Sequence, residues 1–456
     1  MRRKKACLLA LSLITGIMVN AQNMKATKEY RQLIKQHIYG DYKEMYRQPS
    51  GIALIYPYIT PGSKSYANVL WDWDSWLSDV ALRQVLTDTG ADADRQEALT
   101  YEQGCVLNYL AYTSPEEGYM PMVIDSRTDP DKIKPVDIYA TNMHKPCLAQ
   151  HAAFLVQQSG GETAWLRGCF PRLQAFIANY HGHHRHIATG LYYWQDDLAI
   201  GVDNDPSTFF RPKGSSASIY LNCMMYKELR AMAFLAEQLR QHTDAKTYTA
   251  MADTLREKVR RYCWDEKDGM YYSVDLNLLP YTAEPQTIFG TQMVLHEGAP
   301  RDYPCLIQRL GCWSGFMALW AGIATPEQAR RMVKENLTDP RTFWAPYGVR
   351  TLSKTEKMYN TRATHNPSNW QGPIWGISNY MVFRGLADYG YEREARQVAL
   401  KTIVLYGEDL KREGALHEYY DPDSGAPIIN KGFQNWNYLV LNMLAWLEGR
   451  PVVKEF

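Results

Sequence analysis

Apolar residues recur at helical spacing along almost the whole chain, and strands never alternate with those helices as a parallel sheet requires. Segments near 24–40, 74–88, 94–112, 145–158, 163–183, 215–241, 244–262, 313–321, 325–337, 374–389, 391–406 and 435–448 read as amphipathic or buried helices, several closed by Gly or Pro. The exception is "WDEKDGMYYSVDL", Trp264 to Leu276, where Asp268-Gly269 between alternating aromatic flanks predicts a small β-hairpin insertion. A length of 456 residues would by itself suggest two or three domains. About twelve helices with no low-complexity linker between them point instead to one all-α domain closed into a toroid, with long aromatic-rich loops.

The first residues, "MRRKKACLLALSLITGIMVNAQ", carry Arg2, Arg3, Lys4 and Lys5, then an apolar run, then Val19-Asn20-Ala21 before Gln22. That pattern predicts a signal peptide over 1–21, which leaves 22–456 as the single toroid domain. The only cysteine near the cleavage point is Cys7, inside the apolar run, which favours a periplasmic or secreted protein over a lipid-anchored one. No later segment approaches the roughly 20 apolar residues of a membrane span. Without the four basic residues of the peptide, 46 basic residues face 49 acidic ones, a balance that argues against a nucleic-acid partner. Seven cysteines then remain, an odd number without metal-like spacing, so at least one is unpaired and most are expected to be small buried apolar groups.

Thirteen Trp and 32 Tyr against 12 Phe make the aromatic content unusual. Such half-apolar, hydrogen-bonding rings suit sugars, which present C–H faces beside hydroxyls. Other chemistries lack their signatures. There is no G-x-S-x-G, the nearest string being Gly311-Cys-Trp-Ser-Gly315, and neither a P-loop nor a G-x-G-x-x-G is present. The run "HGHHRH" (His181, His183, His184, His186) lacks the i, i+4 pair of a helical zinc motif and reads as a solvated helix end.

Five strings interleave aromatics with carboxylates and amides: "WDWDSW" (71–76), "GYMPMVID" (118–125), "DDLAIGVDNDPSTFFRP" (196–212), "HNPSNWQGPIWGISNY" (365–380) and "HEYYDPDSGAP" (417–427). Cleaving a glycosidic bond needs a protonated acid at the leaving oxygen, a second carboxylate acting on water or sugar, and walls that hold the ring. These strings contain all three. Pro367 and Gly372-Pro373 hold off a helix until Ile374, leaving Asn369, Trp370 and Gln371 on the preceding loop, and Glu418 sits before the turn Asp421 to Gly425.

"GVDNDP" and "HEYYDPDSG" resemble the "SG-x-D-N-x-P" and "E-x-Y-x-P-x-T-G" segments of glycoside hydrolase family 63 and the related mannosylglycerate hydrolase and trehalase group, and "WDWDSW" and "NWQGPIW" resemble its "W-D-S" and "W-R-G-P-I-W" segments. The resemblance runs from about Trp71 to "FQNWNYLVLNML" and implies an (α/α)6 toroid that hydrolyses α-linked sugars with inversion. It places Asp203 as general acid and Glu418 as general base, with Trp73, Asp74, Asn204, Trp370, Gly372 and Trp375 around the sugar; Tyr347 and Arg350 of "APYGVRTLS" match a further recurrent segment. The family's Glu-Ser before the Gly is here Ala199-Ile200, and its Arg after the Pro appears only as Arg211, departures that bear on sugar preference. The trehalase signatures are missing, and the short stretch before Trp71 matches the branch in which the toroid stands alone.

The expected activity is therefore that of an exo-acting α-glycosidase on an oligosaccharide or small α-glycoside, glucosides before mannosides, with no cofactor. A mannosylglycerate-type hydrolase, a non-catalytic glycan-binding protein of an uptake system, and a toroidal lyase or epimerase are the alternatives. The oxygen-rich "DNDP" and "DEKDG" leave room for a structural calcium, though without an EF-hand ladder. Asp203 has to be protonated near neutrality, far above the ordinary ~3.9 of an Asp, with Asp196, Asp197 and Asp205 as the neighbours that could raise it. Glu418 has to stay ionised, with its carboxyl roughly 6.5–9.5 Å from that of Asp203.

Overall fold

The structure is a computed structural model that describes residues 27–90, 92–133, 142–198, 200–278, 285–294, 303–362 and 368–456. The expected signal peptide lies outside these residues, as do Ala199, His365 and Pro367.

Six helices form a closed ring: Asp72–Thr89, Leu148–Gln158, Ile219–Gln238, Met317–Trp320, Gly376–Asp388 and Val440–Leu447, each touching the next and the last touching the first. They alternate along the chain with six others, at 27–41, Asp92–Tyr112, Phe170–His183, His242–Tyr262, Pro326–Arg331 and Glu392–Glu413. The two sets differ as ring and sheath must. Every residue from Asp72 to Leu86 is buried, so this helix is covered all round. The His242–Tyr262 helix instead buries only Ala245, Tyr248, Ala252, Leu255, Val259 and Tyr262, a stripe at steps of three and four that packs on the Ile219–Gln238 helix. The fold is the (α/α)6 toroid.

Boundaries differ from the sequence expectation where local chemistry intervenes. The segment 163–183 is two helices, Ala164–Arg167 and Phe170–His183, parted at Gly168-Cys169, with Pro171 in the second helix's first turn, where its missing N–H costs no hydrogen bond. The Pro326–Arg331 helix opens with a capping box from Thr325 and Gln328 and continues over Met332–Leu337 in π geometry. Ile374 does not begin a helix. Ile374–Trp375 pairs antiparallel with Tyr419–Tyr420, Trp375 opposite Tyr419, and the helix starts only at Gly376. The predicted hairpin forms, Trp264–Asp265 against Met270–Tyr271, and Val274–Asp275 beyond it joins Ser216–Ala217 and Leu306–Ile307 in a three-stranded sheet. Of the seven described cysteines, all free, six are buried and Cys169 is partly so.

Candidate active site

The segments that enter the ring helices converge at one end of the ring. There they enclose a cavity of about 340 Å³ lined by Trp71, Trp73, Asp74, Lys145, Asp203, Trp375, Glu418, Trp436 and their neighbours, at the small end of the ~300–1,000 Å³ typical of ligand pockets. Trp71, Trp73 and Asp74 stand at the start of the first ring helix, Lys145 just before the second, Asp203 before the third, Trp375 before the fifth, and Glu418 and Trp436 before the sixth. N–H groups at helix starts favour negative charge, which suits a carboxyl-rich cavity.

The ladder between Ile374–Trp375 and Tyr419–Tyr420 sets Glu418 beside the tryptophan wall. In that wall Trp370 stacks on Trp375 at 4.0 Å between ring centres, and Trp375 on Tyr419 at 4.6 Å. The Glu418 amide donates to the Ile429 carbonyl (3.1 Å), so the residue sits on a pinned hairpin. Its Oε1 accepts from the Tyr66 hydroxyl (3.2 Å) and its Oε2 from the Asn430 amide (3.0 Å). Burial pushes the Glu418 carboxyl up to about 7, helped by the charge of Asp203, while the bonds from Asn430 and Tyr66 pull it down. Removal from water thus outweighs the hydrogen bonds that favour its charged form.

Asp203 lies on the loop after Trp194, which turns at Gly201 with φ +85°. A Cβ on Gly201 would stand 2.6 Å from the Lys145 side chain and 2.8 Å from the Trp73 ring, so glycine is needed both for its backbone and for the close approach. Asn204, also left-handed (φ +55°), fastens this loop to the tryptophan wall. Its Oδ1 accepts the Trp370 N–H (2.8 Å), its Nδ2 donates to Asn369 Oδ1 (3.1 Å), and its carbonyl accepts from the Gln371 amide (3.0 Å). Of the proposed acidic neighbours, Asp197 feels the charge of Asp203: burial first, then the charges of Asp196 and Asp203, push its carboxyl up. Asp205 is turned inward, capping the Pro206–Phe209 turn through Ser207 N (2.8 Å). Asp196 accepts from Asn142 (3.0 Å) and pairs with Lys213 at 3.3 Å.

On the facing side, burial pushes Asp74 up to about 8 against the opposing charge of Lys145, and Asn435 donates to its Oδ1 at 2.5 Å. Lys145 is itself buried, 2.7 Å from Asp72 Oδ1 and 5.4 Å above the Trp73 ring. A buried carboxyl beside a fixed lysine, walled by indoles, provides polar partners and an apolar face for one sugar ring.

The cavity thus brings together Trp73, Asp74, Asp203, Trp375 and Glu418. Asn204, Trp370 and Gly372 stand behind its lining as supports, Gly372 meeting the Tyr359 ring where a Cβ would lie. Tyr347 and Arg350 do not line it: Tyr347 donates to Glu408 (3.0 Å), and Arg350 is buried on Asp423 (2.8 Å) and the carbonyls of Pro340 and Thr342. The histidine run is only partly solvated, since His184 is buried and His181 faces the Tyr192 hydroxyl at 3.0 Å. Asp265 of "DEKDG" is engaged by Arg309 and by two backbone amides. Among the described residues no group of three His, Cys, Asp or Glu side chains could hold a metal ion. Tyr66, Lys145, Asn430, Asn435 and Trp436 were not singled out from the sequence. Only "FQNWNYLVLNML", which carries Asn435 and Trp436, offered a signal.

The family model described as mannosylglycerate hydrolase MGH1-like glycoside hydrolase domain matches residues 66–437. A probable mannosyl-oligosaccharide glucosidase of Schizosaccharomyces pombe is 24% identical over 66% of this chain, which spans 34% of that protein. The mannosylglycerate hydrolase MGH1 of Selaginella moellendorffii is 22% identical over 83% of this chain and 80% of its own length. Among solved structures, the family 63 mannosylglycerate hydrolase of Thermus thermophilus in complex with glucose superposes with a TM-score of 0.63 at 19% identity, covering 89% of this chain and 99% of that one.

Proposed function

This chain belongs to the mannosylglycerate hydrolase MGH1-like glycoside hydrolase family, and from that premise we propose that it is an exported, inverting, exo-acting α-glycosidase in which Asp203 is the general acid and Glu418 the general base. Asp203 gives its proton to the glycosidic oxygen as the bond to the anomeric carbon breaks. Glu418 takes a proton from the water that attacks that carbon from the opposite face, so an α-glycoside yields the β-sugar first. Neutral Asp74 and Lys145 meet the hydroxyls, and Trp73, Trp375 and Trp436 meet the C–H faces. The observation that carries this reading is one cavity lined by both Asp203 and a Glu418 held at each oxygen.

We assign α-glucosides as the preferred substrates, a choice supported by the name of the fission-yeast relative. Mannosylglycerate is the second reading, because the Selaginella relative so named aligns with more of this chain. Export over residues 1–21 and a single domain over 22–456 belong to the same proposal, supported by the basic-then-apolar leader and by a ring that closes within one chain.

The test is NMR of the sugar released from α-glucosides, α-mannosides and mannosylglycerate by the wild type, Asp203→Asn and Glu418→Gln. Both variants should lose at least ~100-fold in kcat, as removal of an acid or base does, and the β-anomer should come first. Near wild-type turnover by either variant would remove the assignment, and α-anomer appearing first would remove inversion alone.

A further inference from the structure

The segment carrying Asp203 is a closed loop. Gly214 N donates to Gln195 O at its neck (2.8 Å), and Trp194 bridges Ser216 just outside. Inside that neck Asp197, Leu198, Gly201 and Asp203 line the cavity. The same loop leaves three large apolar side chains in water: Leu198 is 43% exposed, Phe209 44% and Phe210 58%. The two phenylalanines meet edge to face at 4.6 Å. They end the short turn that Asp205 caps, Phe209 N donating to Asp205 O at 2.8 Å. Scattered single apolar groups on a surface need no explanation. Here three lie on one loop, and Leu198, at once exposed and part of the cavity wall, forms the lip of the cavity.

Resting on the assignment of Asp203 as the acid, we infer that this lip is the leaving-group subsite and that it takes a neutral aglycone with an apolar face. A general acid must reach the glycosidic oxygen, so the leaving group lies beside Asp203 and against the loop that holds it. Leu198 is the apolar group already in the wall there. The charges on the loop point the same way. Its own cations are engaged, Arg211 by Asp275 and Lys213 by Asp196 at 3.3 Å, and Lys145 is paired with Asp72 at 2.7 Å. A carboxylate on the aglycone would meet the Asp197 carboxyl in the same wall instead. Glycerate is therefore the wrong kind of leaving group for this lip, and an alkyl chain or the C–H face of a neutral sugar is the right kind.

The experiment compares kcat/KM for methyl and octyl glycosides, for glycosides of glycerol and glyceric acid, and for α-glucosyl and α-mannosyl fluorides, which have no aglycone. With the sugar the enzyme accepts, octyl should exceed methyl, and glycerol should exceed glycerate, each by about tenfold. Leu198→Ser should bring the octyl-to-methyl ratio close to one, and Phe210→Ser should narrow it. Equal or better use of the glycerate glycoside, or an octyl-to-methyl ratio untouched by Leu198→Ser, overturns the inference while hydrolysis of the fluorides leaves the glycosidase reading in place. Failure to hydrolyse either fluoride overturns both.

Discussion

Asn430 and Tyr66 each hold one oxygen of Glu418, the amide at 3.0 Å and the hydroxyl at 3.2 Å. Asn430 reaches it from a left-handed backbone (φ +58°) and is itself met by Ser65 Oγ at 3.0 Å. A hydrogen bond to a charged group is worth ~1.5–3 kcal/mol, about one pKa unit or more. Asn430→Gly keeps the backbone and deletes the amide, and Tyr66→Phe deletes the hydroxyl. Each should move the acid limb of kcat/KM upward by about one unit, measured as a pH–rate profile against the wild type.

In the wild type that limb should itself lie near pH 7, because Glu418 is pushed up to about 7 and, as the proposed general base, would act only when ionised. Activity should climb as pH rises through that value. Initial rates between pH 5 and 9 at subsaturating substrate check this; a limb near the ordinary Glu value of ~4.3 would contradict it.

Gly201→Ala places a methyl against Lys145 and Trp73 in a left-handed backbone. The backbone term alone costs ~1–3 kcal/mol. A thermal midpoint several degrees lower and a fall in kcat/KM of at least ~100-fold are expected, since the displaced groups are the cavity wall and the loop of Asp203.

Asn204→Ala removes the acceptor of the buried Trp370 N–H and the clasp on Asn369. Leaving one such buried donor unpaired costs ~1–3 kcal/mol. Because Asn204 supports the site rather than lining it, kcat should fall through misplacement of Asp203 and Trp370 even in the fraction that stays folded, as folded-state kinetics after a stability check will show.

Asp74 carries a pH signature in stability. Its folded value is raised to about 8, whereas an unfolded Asp loses its proton near ~3.9. Between those values the unfolded chain binds fewer protons than the folded one, so stability from this group is full below ~3.9 and falls until about pH 8. Asp74→Asn still accepts from Asn435 and has no charge to desolvate. Its thermal midpoint relative to wild type should therefore rise from pH 5 to pH 8; a constant difference would show that Asp74 is ionised in the fold.

The toroid was legible because its evidence is periodic: twelve helical stretches leave twelve marks, and local breaks such as Gly168 shift only their edges. Glu418 and Asp203 stood out because each lies in a dense string of aromatics, carboxyls and turn residues. Ile374–Trp375 could not be read as a strand, since two residues have no period and their partner is at 419–420. Tyr66, Lys145 and Asn430 were illegible for a related reason. Each is a single polar residue whose meaning comes from a partner far along the chain. Tyr347 and Arg350 show the converse: a string that looks like site chemistry can serve packing, as the buried Arg350–Asp423 contact does.

Closure of the ring puts its first and last helices in contact, and the grip on Glu418 spans that seam, with Tyr66 on one side and Glu418 352 residues later on the other. During synthesis the Tyr66 side emerges early and waits for nearly everything else. A growing chain can fold helix pairs as they appear, yet none of these intermediates owns a held base. The hold on Glu418 is therefore among the late contacts the polypeptide makes, and a chain cut short before Asn430 lacks half of it.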